Sequence, residues 1–133
     1  MTLYIPQAGQ DAILKNALGL VTPANLLLKL FVNSYTPAAG DSAASYTEMS
    51  TLGYAAKTLS MASWTESEVI GVGTAVYAAQ TFTFTAGTAV TIYGYFVVGA
   101  TDGIIRWAEL FATPFIAQYT GDSVVLTPQF TLT

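Results

Sequence analysis

The stretch TIYGYFVVGATDGIIRWAELF, residues 91–111, constrains the fold more than any other part of the chain. Two runs of aromatic and branched side chains flank the polar GATDG at 99–103, and Asp-Gly between such runs is a strong local hairpin signal. Period-two alternation puts Val90, Ile92, Phe96 and Val98 on one face of the first strand, with Gly94 between them, and Tyr93, Tyr95 and Val97 on the other. On the return strand it sets Ile105, Trp107, Glu109 and Phe111 against Ile104, Arg106, Ala108 and Leu110. The stretch is therefore a central hairpin, and each large side chain it buries contributes roughly 1.5–3 kcal/mol.

The same period recurs along the chain. In NLLLKLFVN, residues 25–33, Leu26, Leu28, Leu30 and Val32 share one face and Leu27, Lys29 and Phe31 the other. Phe82 and Phe84 alternate with Thr81, Thr83 and Thr85, the pattern of a half-buried strand. Further strands are expected over 54–59, 75–85, 89–98, 104–111 and 123–132, and 64–69 reads as a strand or an extended turn. The one helical pattern is DAILKNAL, residues 11–18: Asp11 caps its start, Ile13, Leu14, Ala17 and Leu18 form its apolar stripe, and Gly19 offers a left-handed stop. Ahead of it, Pro6 ends any pairing by the extended LYI. Residues 33–50 form a surface loop long enough to suggest contact with a partner. These elements define an all-β fold class: a single antiparallel β-sandwich of jelly-roll-like type with one short N-terminal helix, spanning residues 1–133 as one domain, with residues 1–10 as an N-terminal contact arm. Residues 69–101 carry no charge, but their alternation and Gly71, Gly73 and Gly87 predict strands and turns in place of a membrane-spanning helix, so no membrane partner is expected.

Composition narrows the function. The chain has no histidine and no cysteine, which removes the commonest general base, the commonest transition-metal ligand and all thiolate chemistry. Its serines have no G-x-S-x-G elbow around them. Glu66 and Glu68 share a strand face and could be paired carboxylates, but in WTESEV they read as a solvated edge. Calcium ligands from Asp41 with Ser42 and Ser45, or from Asp102, lack a D-x-D-x-D spacing and read as ordinary turns. Glu109, in an apolar strand, is structural or an interface contact, with Arg106 or Lys57 as its candidate cation. No catalytic, cofactor or metal site is expected. Four Lys and Arg against eight Asp and Glu give a net charge of −4, the wrong footprint for nucleic acid. Only 9% of residues are charged, against about 25% in ordinary soluble domains, so the surface suits a protein that sits against something else, in a homo-oligomer or a larger assembly. The many tyrosines suit a sheet surface and equally a carbohydrate or receptor platform.

The chain resembles the small virion-associated structural proteins of tailed bacteriophages. The resemblance is carried by YIPQAGQDAIL at 4–14, LKLFVNSYTPAAGD at 28–41, YTEMSTLGYAAKTL at 46–59, YAAQTFTF at 77–84, IYGYFVV at 92–98, WAELF at 107–111 and LTPQFTL at 126–132, in that order. It departs at Gly9-Gln10, where the group's usual pair is Gly-Glu. The resemblance implies a capsid decoration or cement protein, with a tail or fibre-associated role as the competitor. It further implies the major capsid protein or another virion structural protein as partner, a trimer as the homo-oligomer, and a place on the outer surface of a particle assembled in the host cytoplasm. Candidate partner contacts are Leu3, Tyr4 and Ile5 in the arm, Tyr35 and Tyr46 in the loop, and Tyr93 and Tyr95 on the sheet. YGYF at 93–96 and WAE at 107–109 read as fold determinants.

Overall fold

The computed structural model describes residues 3–132. They are mostly β, 44% strand and 13% helix, with antiparallel pairing and one α-helix. The expected hairpin is its centre: β7 (Val90–Gly99) pairs with β8 (Ile105–Ala117). At the turn, Gly103 has φ +65°, and the Ile104 N–H donates to the Asp102 side chain at 2.9 Å. On the other side of β7 lies β2 (Leu26–Phe31), flanked by β3 (Lys57–Leu59). On the outer side of β8 lies β1 (Leu3–Tyr4), which completes a five-stranded sheet in the order β1-β8-β7-β2-β3.

Two smaller sheets complete the fold. β4 (Thr65–Val69), β5 (Val72–Val76) and β10 (Gln129–Leu132) form one in the order β10-β5-β4; β6 (Gln80–Thr83) and β9 (Ser123–Leu126) form the other. The expected strands 75–85 and 123–132 are thus each broken in two. The breaks face one another, because Val76 pairs with Gln129 and Gln80 with Leu126. Pro128, which has no N–H to place in a ladder, lies at the crossing and accepts the Tyr77 N–H at 2.8 Å.

Strict alternation fails in the hairpin. The register slips between Ile92 and Gly94 and again between Val97, opposite Trp107, and Val98, opposite Ile105. Each slip reverses the facing of the residues beyond it. Ile92, Tyr95, Val97 and Trp107 therefore join Leu28, Leu30, Phe82 and Phe84 in the main core, while Phe96, Val98, Ile105 and Ala108 join Phe31 and Tyr46 on the opposite face. β8 also runs past the predicted end at 111, through the exposed Pro114, because the first slip leaves that proline in the irregular part of the ladder.

The helix α1 (Gln7–Ala17) starts a turn earlier than predicted, with Pro6 and not Asp11 at its N-cap; Asp11 pairs instead with Lys15 at 2.7 Å on the exposed surface. Its C-terminus agrees with expectation. Gly19 at φ +67° allows the Gly19 N–H to bond the Asn16 carbonyl and the Leu20 N–H that of Lys15, a Schellman stop. The buried stripe does not agree: Gly9 and Ala12 face the sheet, while Leu14 and Leu18 are exposed. At Gly9 the helix backbone lies so close to β8 that a Cβ would overlap the Arg106 carbonyl oxygen.

Candidate binding surfaces

The proposed contact residues divide sharply. Leu3 and Tyr4 pair with Glu109 and Ala108 of β8, and Leu3 and Ile5 pack half-buried on the main core. Residues 7–10 are already helix. The arm expected over 1–10 is therefore, in its described part, a sheet edge and a helix start, held by backbone pairing that a free arm lacks; Met1 and Thr2 lie outside the described residues.

The loop at 33–50 is a packed cap. Its Val32 and Met49 ends bond Thr47 and Leu30, and its Ala39 carbonyl accepts the Gln7 N–H at 2.9 Å. At its centre Asp41, 4% exposed, accepts from the Tyr35 hydroxyl at 2.5 Å, the Tyr46 hydroxyl at 2.6 Å and the Ala38 N–H at 2.8 Å. Burial alone raises the Asp41 pKa, but these donors outweigh it and hold the carboxyl below its usual value. Burial and the neighbouring carboxylate push the Tyr46 hydroxyl well above the normal tyrosine range. Tyr46 is buried and stacks on Phe96 at 5.1 Å, so it offers a partner no surface in this conformation; Tyr35 is half-buried. The carboxylate oxygens that a calcium ion needs from Asp41 are already bonded. Nothing local in the sequence marks Asp41 as a hub, because its two hydroxyl donors lie six residues before and five after it and meet only through the folded loop.

Tyr95 is also buried, and its hydroxyl donates to Glu109 Oε2 at 2.5 Å. This corrects the expected cation for Glu109: the bond comes from the residue directly opposite in the ladder. Arg106 instead pairs with Asp102 at 2.7 Å and donates to the Ile104 carbonyl, folded back over its own turn. Burial and the Glu109 carboxylate raise the Tyr95 pKa strongly. Tyr93, half-buried, packs at the edge of the second cluster. Lys57 lies 5.5 Å from the centre of the Phe82 ring, and Lys29 bonds Glu48 at 2.8 Å.

A concavity beside α1 has no counterpart among the sequence expectations. A cleft of about 370 Å³ opens between α1 and the three-stranded sheet, walled by Ile13, Leu26, Met61, Trp64, Trp107 and Phe130, with Arg106 and Glu66 also in its lining. Trp107, 4% exposed, stands 5.4 Å from Phe130 and 6.2 Å from Trp64. The side chains come from distant segments, so no spacing in the sequence could announce them. Buried N–H groups of Arg106 (Nε) and Trp107 (Nε1) have no acceptor among the described residues. Among the described residues no three or more acidic side chains gather in a way that could hold a metal, and no helix is long and apolar enough to cross a membrane. What the cleft offers chemically is apolar and aromatic surface with Glu66 beside it, the makings of binding.

Comparison with protein-family models, with curated proteins and with solved structures found no match for the chain.

Proposed function

We propose that this chain is a structural protein of a tailed-phage particle, one that decorates or cements the capsid by protein–protein contact and performs no turnover. In this assignment its three sheets make a β-sandwich of jelly-roll type, its partner is the major capsid protein, and it sits on the outer surface of the particle as a homo-oligomer, with a trimer expected at local three-fold positions. Alongside the sequence resemblance, the observation that carries it is apolar surface left in water. Leu14, Leu18, Leu20 and Val21 are exposed along the end of α1, and Val69 and Ile70 are exposed at the β4–β5 tip, Ile70 by 99%. Single exposed apolar side chains are ordinary; groups of them on the two elements that bound one cleft suit a surface that a partner covers. Each contact made with the assembled shell adds to the cost of separating its subunits, and an oligomeric binder turns several weak contacts into one strong attachment.

The test is co-sedimentation of purified protein with particles lacking it, followed by cryo-electron microscopy of the decorated particle. Saturable attachment, with density for the chain on the shell, is the expected result. Failure to attach under any salt condition, or density only on the tail, would reject the capsid assignment.

A further inference from the structure

The three-stranded sheet carries a groove of about 450 Å³ on one face, continuous with the cleft beside α1 through their shared Glu66, Ala75 and Phe130. Its construction is set by register. Glu66 stands opposite Ala75, and Ala75 opposite Phe130; Glu68 stands opposite Gly73, and Gly73 opposite Leu132. Residues opposite one another share a face, so the face that seats Phe130 on Trp107 continues into a second row that no described residue covers. Gly73 and Ala75 make a low floor along the middle strand. Glu66 and Glu68 make one wall, and Phe130 and Leu132 the other.

Among the described residues the acidic wall has no counter-charge. The sequence holds four Lys and Arg. Lys15 pairs with Asp11, Lys29 with Glu48 and Arg106 with Asp102, while Lys57 lies against Phe82. A second copy laid on the same face would add the same two carboxylates and no cation to the contact, which leaves the acidic wall without a counter-charge.

We propose that this groove docks an extended segment of another protein, one that carries Lys or Arg side chains two residues apart and an apolar side chain beside them. The two-residue spacing is dictated by the wall: Glu66 and Glu68 are two apart on one strand, and an extended ligand repeats with the same period. The apolar side chain lies over the low floor against Phe130 and Leu132. The inference rests on the reading of the chain as a protein-binding protein, but it does not depend on the capsid being the partner.

The experiment uses the intact protein and an array of short extended peptides that place two Lys or Arg side chains two apart beside Leu or Val, with Glu-substituted copies as controls. Binding is followed by fluorescence anisotropy. The cationic peptides are expected to bind, more weakly as salt is raised, and their Glu-substituted copies to fail. Glu66→Gln combined with Glu68→Gln should weaken binding about tenfold. Gly73→Val should abolish it while leaving the melting curve intact, because a Cβ at Gly73 meets nothing within 4 Å and fills only the groove. No binding by any cationic peptide overturns the proposal, as does binding that ignores both variants. A change in sedimentation state caused by the glutamate variants overturns it too, since the face would then be a contact between copies. Particle co-sedimentation separates this proposal from the assigned function. If the variants attach to particles as well as the parent, the groove is not the docking site and the decoration role stands; if the parent binds peptides but never particles, the groove stands and the capsid role fails.

Discussion

Gly9→Ala is a substitution whose sign, and not only its size, discriminates. In an exposed helix interior, replacing Gly by Ala stabilises by about 0.8–1.0 kcal/mol through helix propensity. Gly9 is buried, however, and a methyl group there overlaps the Arg106 carbonyl oxygen and approaches the Ile105 carbonyl as well. Both are backbone atoms of β8, in the stretch where the register slips, so they cannot turn aside as a flexible side chain could. Overpacking of this kind costs about 1–3 kcal/mol, which exceeds the propensity gain over most of its range. A Cβ that overlaps a backbone oxygen belongs in the upper part of that range, about 2–3 kcal/mol, so the expected net is a loss of about 1–2 kcal/mol, or a fall in melting temperature of roughly 3–10 °C for a chain of this size. Differential scanning calorimetry or thermal circular dichroism measures it, with Gln10→Ala as the exposed control that should move the midpoint little. A Gly9→Ala variant as stable as the parent, or more stable, would show that α1 does not rest on β8 at this closeness and that the glycine is there for some other reason.

Trp107→Ala should cost about 3–5 kcal/mol by opening a cavity against Trp64 and Phe130, and a chemical-denaturation midpoint equal to the parent's would contradict its buried placement. Deleting residues 2–5 should lower the melting temperature as well as any attachment, because Leu3 and Tyr4 pair with β8; an unchanged melting curve would return them to the role of a free arm. Asp41 supplies a pH signature: its folded pKa is depressed, so its stabilisation is present above the unfolded value of about 3.9 and is lost as pH falls through the lower folded value. Asp41→Asn should accordingly be less stable than the parent at neutral pH, with the gap narrowing in acid, and equilibrium unfolding with a pH-independent gap would refute it. Tyr46 and Tyr95 act at the other end: their raised pKa values make their contribution complete below about pH 10 and lost as pH rises through the folded values, so Tyr95→Phe should flatten the alkaline loss seen in a stability-versus-pH series.

Much of the β character was legible in sequence because it is written at short range. The two-residue period placed Leu28 and Leu30 on one face of β2 and Phe31 on the other, and both assignments hold because β2 contains no slip. Asp102-Gly103 specified its turn, and Gly19 the helix stop, since each requires only a local backbone conformation. Where an extra residue enters the ladder, period alone is blind: the slips in β7 and β8 exchange the faces of side chains whose own sequence pattern is regular, and the partner strand decides where the slip falls. The helix stripe misled for a related reason. Leu14 and Leu18 are apolar, but the sheet offers α1 a close backbone approach that only Gly9 and Ala12 can use, which leaves the leucines in water.

The candidate contacts show the same division. Sequence alone established that the chain lacks histidine and cysteine, carries little charge and is rich in tyrosine, all matters of which atoms exist. Whether a tyrosine is a contact or a keystone is a matter of what surrounds its hydroxyl. Tyr46 and Tyr95 lie inside with carboxylate acceptors, the buried Asp41 and the half-buried Glu109, which need donors where water is excluded. Only tertiary structure could also assemble the cleft at Trp64, Trp107 and Phe130 and the groove from Glu66 and Glu68 to Phe130 and Leu132, since both join segments far apart in the chain whose proximity is decided by strand pairing and not by anything in the segments themselves.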